Sequence, residues 1–148
     1  MYALLYRSRA RAGLLAPDLN RIMASAQGRN PTLGVTGLLL YGELEVVPGA
    51  PGEFVQWLEG SEDAVEGLYR LVADDPRHTD VEVLGRGPLP ELAPDVARTG
   101  PGRDRLFGDW DMGLVRLAEL PATLAGFLRF AREWDGDPAR RADELSAP

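Results

Sequence analysis

The 148-residue chain contains no cysteine and no lysine, and its single histidine is His78. Without cysteine there is no disulfide and no thiolate-bound zinc, and one histidine excludes a histidine-rich metal site. No stretch approaches the ~18 consecutive apolar residues of a membrane span. The opening MYALLYRSRAR lacks a signal-peptide layout, because its basic residues follow the short apolar run instead of preceding it. The expectation is a cytoplasmic protein with no membrane association. All sixteen basic residues are arginine, which reflects genome composition rather than function. The net charge of −7 argues against nucleic acid as a partner.

What is present suits one globular domain: 45% hydrophobic and 26% charged residues, in a chain long enough to bury a core. The charge is uneven. Residues 1–30 carry Arg7, Arg9, Arg11, Arg21 and Arg29 against the lone acid Asp18. Such an end can hold a small anion, but charge alone favours a solvated basic face.

Periodicity predicts the elements. Residues 1–7 read as a strand with Tyr2, Leu4 and Tyr6 on one face. After a turn at Gly13, Pro17 and Asp18 open a helix whose stripe is Leu19, Ile22, Met23 and Ala26, with Gly28 as its stop. Val35–Tyr41 is a second strand. A long connection over 42–53 leads to a third strand, Phe54–Glu59. Ser61 caps a second helix with Glu62 and Asp63 in its first turn, and Val65, Leu68, Tyr69 and Val72 form its stripe. A fourth strand covers Val81–Leu84. Residues 85–105, with four Pro and four Gly, read as a loop. Leu106–Leu114 is a fifth strand with Trp110, Met112 and Leu114 on one face. Thr123–Trp134 is a third amphipathic helix with Leu124, Phe127, Leu128, Ala131 and Trp134 aligned, placed over the open face of the sheet. The final residues read as a polar tail.

The third strand poses a question. Phe54, Gln56 and Leu58 share the face that should be buried, and a buried primary amide needs partners at both ends. The element order βαββαβ, followed by a strand and a helix, gives an α+β, ferredoxin-like plan with a fifth strand and a C-terminal helix. In that topology the first and third strands are central neighbours. Tyr6 therefore lies beside Gln56 and can bond its amide.

Five segments in order resemble the BLUF family of flavin-based blue-light sensors: LLYRSRA, GRNPTLGVTGLLLY, FVQWLEG, DDPRH and FGDWDMGL. The resemblance runs from about Met1 to Leu114. It implies a sensor domain over residues 1–116, followed by a C-terminal helix and tail over 117–148. It also implies FAD held noncovalently between the first two helices. By motif position Tyr6 is the electron and proton donor, and Gln56 is the switching amide between that tyrosine and the flavin. Asn30 is the asparagine that bonds the ring. Arg77 and His78 match a pair near the ring, and Trp110 and Met112 match residues that respond to the switch. Arg29 carries over more weakly. FAD is not distinguished from FMN.

Taken singly, each of these residues has a plainer role: Tyr6, Trp110 and Met112 as core, Gln56 at a strand edge, Asn30 as a turn residue before Pro31, Arg77 and His78 as a solvated helix end. Their joint occurrence favours the sensor. The expected protein is not an enzyme but a short stand-alone receptor acting through an unknown effector protein or a homo-oligomer. The alternative is a ferredoxin-like interaction module that does not sense light, with or without flavin. A flavoenzyme ranks lower, since no candidate base stands out. The connections at 42–53 and 85–105 are long for the family and leave open how Trp110 and Met112 sit relative to Gln56.

Overall fold

The computed structural model describes residues 1–11, 16–43, 52–94 and 105–134. The turn at Gly13, most of the 42–53 connection, half of the Pro/Gly loop and the polar tail lie outside the described residues.

Five strands form one sheet: β1 (Tyr2–Ala10), β2 (Thr36–Glu43), β3 (Glu53–Gly60), β4 (His78–Pro88) and β5 (Trp110–Arg116). Their order is β4-β1-β3-β2-β5. β2 and β5 run parallel, and every other neighbouring pair is antiparallel. This is the ferredoxin-like order extended by one strand, with β1 and β3 adjacent at its centre.

Alternation splits the core between two faces. Helices α1 (Ala16–Arg29) and α2 (Glu62–Asp74) cover the face of Leu4, Tyr6, Leu39, Phe54 and Leu58. The expected stripes do the packing: Leu19, Ile22 and Ala26 from α1, Val65 and Leu68 from α2. Ser61 caps α2, its hydroxyl accepting the Ala64 N–H at 3.2 Å. The other face carries Leu5, Leu38, Leu40, Val55 and Trp57. It is covered by the short helical turn α3 (Leu89–Leu92) and by α4 (Leu124–Arg132). Thr123 caps α4 through the Gly126 N–H at 3.0 Å. Phe127, fully buried, stacks on Trp57 with centroids 5.5 Å apart and planes 9° apart. Burying such a ring is worth about 2–3 kcal/mol. The C-terminal helix thus covers the open face, as its stripe predicts.

Several boundaries differ from the sequence expectation. β4 starts at His78, not Val81, and runs to Pro88. Its residues Gly85–Pro88 pair with Tyr2–Leu5 of β1. Gly and Pro fit there because β4 is an edge strand, where a missing donor goes unnoticed. Only the later part of the 85–105 segment is therefore a connection. Gly28 is not the stop of α1, which runs on to Arg29. Asn30 turns the chain instead, its carbonyl accepting the N–H groups of Leu33 and Val35, each at 3.1 Å. β5 starts at Trp110 rather than Leu106, because the amides of Leu106 and Phe107 bond a side chain and not the ladder. Gly37 on β2 admits no substitute: a Cβ there would lie 1.9 Å from the Trp57 carbonyl oxygen.

Candidate functional site

A cleft of about 470 Å³ opens between α1 and the end of α2, within the range of small-molecule sites. Tyr6, Leu39 and Gln56 form its sheet-side floor. Ile22, Ser25, Ala26 and Arg29 of α1 form one wall, and Leu71, Val72 and Asp74 of α2 form the other. The segment Asp75–His78 closes one end. Helical spacing explains the α1 wall, since Ile22, Ala26 and Arg29 recur on one face at intervals of four and three.

At the floor, Tyr6 and Gln56 occupy directly opposed positions of β1 and β3. The Tyr6 hydroxyl donates to Gln56 Oε1. This is the polar partner that the buried amide requires, and it leaves the amide NH2 as the donor end. Burial pushes the Tyr6 phenol far above its ordinary value, only partly countered by the Arg29 charge. Tyr6 is therefore a neutral O–H donor at any physiological pH.

His78 sits beside this pair. Its Nδ1 is 2.8 Å from the Ser8 hydroxyl, and its ring meets Tyr6 edge-on at 6.5 Å and Phe54 at 4.7 Å. Burial lowers its pKa, with Asp75 pulling the other way. Arg77 turns to Asp75: Nε lies 3.0 Å from both carboxylate oxygens, and Nη2 lies 2.5 Å from Oδ2. The guanidinium in turn holds the Asp75 carboxyl below its usual range. Arg77 thus reaches the cleft as half of an ion pair, not as a free cation.

Asn30 is fully buried at the end of α1. Its Oδ1 accepts from Arg29 Nε at 3.2 Å, while its Nδ2 has no partner among the described residues. Buried amide donors are rarely left unbonded, yet Asn30 is not among the residues that line the cleft; its neighbour Arg29 is. The Trp110 indole nitrogen is likewise buried and unpartnered. Trp110 and Met112 lie on the cleft face of β5. They do not adjoin Gln56. The row across the sheet is Tyr6, Gln56, Leu39, Met112, so two strand spacings, roughly 10 Å, separate Gln56 from Met112. Leu39 fills the gap.

The basic N-terminal end is mostly spent on pairing. Arg7 meets Glu53 at 2.7 Å, Arg9 meets Asp80 at 3.6 Å, and Arg21 meets Asp18 at 3.4 Å. Arg29 alone of this group lines the cleft.

One central residue escaped the sequence reading. Glu59, fully buried, lies on the sheet face opposite the cleft. Its carboxylate accepts from Trp57 Nε1 and Thr36 Oγ1, each at 3.0 Å, and from the amides of Leu106 at 2.8 Å and Phe107 at 2.6 Å. Burial raises its pKa and the four donors pull it down, burial prevailing. It ties β3 to the entry of β5. The Trp57 indole two residues away was the available signal. The two amides carry no side-chain identity and were invisible.

Comparison with known proteins identifies the family and the fold. The family described as BLUF, sensors of blue-light using FAD, matches residues 1–113. The photoactivated adenylate cyclase subunit beta of Euglena longa is 42% identical over 90 residues, which are 61% of this chain and 10% of that protein. The blue light- and temperature-regulated antirepressor BluF of Escherichia coli is 33% identical over 81 residues, 55% of this chain and 18% of that protein. This chain thus matches only a small part of these relatives. Among solved structures, the dark state of the BLUF protein BlrB superposes with a TM-score of 0.59 at 30% identity, covering 98% of this chain and 90% of that one. A bacterial light-regulated adenylyl cyclase superposes at 0.57 with 25% identity, covering 90% of this chain and 32% of the other.

Proposed function

The chain belongs to the BLUF family of blue-light sensors, and from that premise we propose that it is a photoreceptor holding FAD noncovalently in the cleft between α1 and α2. The observation that carries this reading is the Tyr6–Gln56 hydrogen bond on the cleft floor. Asn30 does not itself line the cleft, but one residue beyond the lining Arg29 it keeps a buried, unpartnered N–H donor of the kind a flavin carbonyl would accept. Arg29 and the Asp75–Arg77 pair would hold the polar rim, with His78 packed beside the ring site.

When bound, the flavin supplies an oxidant created by blue light. Tyr6 is the donor. Its phenol is buried and neutral, and because electron loss makes a phenol strongly acidic, its proton has to leave as well. Gln56 Oε1 already accepts that O–H. The amide plane presents one acceptor and two donors. Rotating it, or shifting it to the imidic tautomer, reverses which neighbour receives a hydrogen bond. Tyr6 then recovers its electron and proton, and the altered network persists, because each unpaired buried polar end costs about 1–3 kcal/mol. Leu39 passes the change along the row to Met112, with Trp110 beside it on β5.

The chain catalyses no reaction of its own in this reading. Residues 1–116 are the sensor domain, followed by the helix and tail of 117–148, and β5 or α4 delivers output through an effector protein or a change of homo-oligomer. The test is the visible absorption of the purified protein, in the dark and under blue light. A flavin band that shifts slightly red and returns in darkness is expected. A band that never moves would refute the switch, and a chain that takes up no FAD would point to an interaction module.

A further inference from the structure

β5 is an edge strand: β2 pairs with one of its sides, and no described strand pairs with the other. Its residues alternate, with Trp110 and Met112 toward the cleft face and Asp111 and Gly113 toward α4. The outer residues make an unusual set of contacts. Asp111 Oδ1 accepts the backbone N–H of Met112 at 2.9 Å, and its Oδ2 accepts the Trp134 indole N–H at 2.7 Å. One carboxylate therefore joins the backbone of a cleft-face residue to the second residue beyond α4. The Trp134 ring also lies close over Gly113. A Cβ at position 113 would stand 2.5 Å from the ring, closer than real contacts allow. Phe130 stacks on the same indole at 5.8 Å.

We propose that Asp111, Gly113 and Trp134 form a clasp that fixes β5 against the sheet, making Trp134 a positioning residue for Met112 and Trp110 in the light response. The clasp also couples β5 to the end of α4. A shift of the Met112 backbone strains the Asp111 carboxylate, and the carboxylate holds the indole. The charge on Asp111 strengthens both of its hydrogen bonds relative to a neutral amide acceptor. The inference rests on the photoreceptor reading for its functional part, while the clasp itself is a property of the dark chain.

The test is a double-mutant cycle on the full chain loaded with FAD, measuring dark-recovery rate and thermal midpoint. Trp134→Phe and Asp111→Asn keep most of the packing and weaken or remove the charged hydrogen bond. Each is expected to change the recovery rate roughly threefold or more while the chain remains folded. Gly113→Ala alone is expected to move both readouts in the direction of Trp134→Ala, because its methyl forces the ring to shift. In the Gly113→Ala/Trp134→Ala chain the two effects should not add, since the space is already vacant. Additive effects would overturn the clasp, and a Trp134→Ala recovery equal to wild type would overturn the positioning role. A wild-type chain whose flavin band never shifts would instead overturn the photoreceptor reading and the positioning role with it. In that case the thermal midpoints of the same cycle still decide whether the clasp exists.

Discussion

Tyr6 and Gln56 face each other across the β1–β3 pair, and the tyrosine hydroxyl donates to the amide oxygen beneath the cleft. The two residues are 50 positions apart in the chain, and only the sheet brings them together. Tyr6→Phe removes the O–H and leaves the ring packing. Gln56→Leu removes the amide that accepts the Tyr6 hydroxyl and keeps much of the side-chain volume. Both variants should bind flavin and lose the reversible red shift entirely. Difference spectra before and after blue light check this. A shift of wild-type size in Tyr6→Phe would sink the mechanism.

His78 gives the protein a pH dependence of predictable sign. Burial holds its folded pKa below the unfolded value of 6.5. As pH falls, the unfolded chain takes the proton first, so this group's contribution is full above pH 6.5 and is lost below it. Asp75 and Arg77, the charged neighbours, act in opposite directions on it. Urea unfolding of the flavin-free chain between pH 7.5 and 5.5 should show falling stability toward the acid end. His78→Gln should flatten that part of the curve. An equal slope in the variant would assign it to carboxylates instead.

Glu59 offers a stability test away from the cleft. Glu59→Leu strands the buried Trp57 indole and Phe107 amide and removes the acceptor of the half-buried Thr36 hydroxyl and Leu106 amide. The expected loss is on the order of 3 kcal/mol. Glu59→Gln keeps the shape and one acceptor oxygen and should lose less. Chemical denaturation measures both, and amide exchange at Leu106 and Phe107 should quicken in the leucine variant. Equal stability of Glu59→Leu and wild type would mean that the carboxylate contributes nothing net.

Local pattern carried much of this architecture. The stripes of α1, α2 and α4, the Ser61 cap and the alternation of β3 are short-range signals, and each survives in the structure. The pairing of Tyr6 with Gln56 needed only the element order and one polar residue on an apolar face. What escaped was non-local or carried by backbone. β4 extends through Gly85 and Gly87 because an edge strand tolerates residues that ordinarily break strands. Leu106 and Phe107 leave the ladder because their amides bond Glu59. Gly113 looks like a weak strand residue until Trp134 is placed over it.

Trp110 separates sensing from relay. It lies on β5, with β2 between it and the strand of Gln56, and its indole nitrogen bonds nothing described. It makes no hydrogen bond to the switching amide, so the light-induced shift should survive Trp110→Ala with near-normal amplitude. The ring is nonetheless buried against the cleft-face core, and its removal leaves a cavity costing about 3–5 kcal/mol. β5 then loses its tightest hold on the cleft face, and the network should relax at a different rate. Flash absorption reads both quantities from one trace: initial amplitude and dark-recovery time. Unchanged amplitude with recovery altered several-fold would assign Trp110 to the relay. Loss of amplitude would place the indole inside the hydrogen-bond switch, nearer to Gln56 in the bound protein than Leu39 now allows.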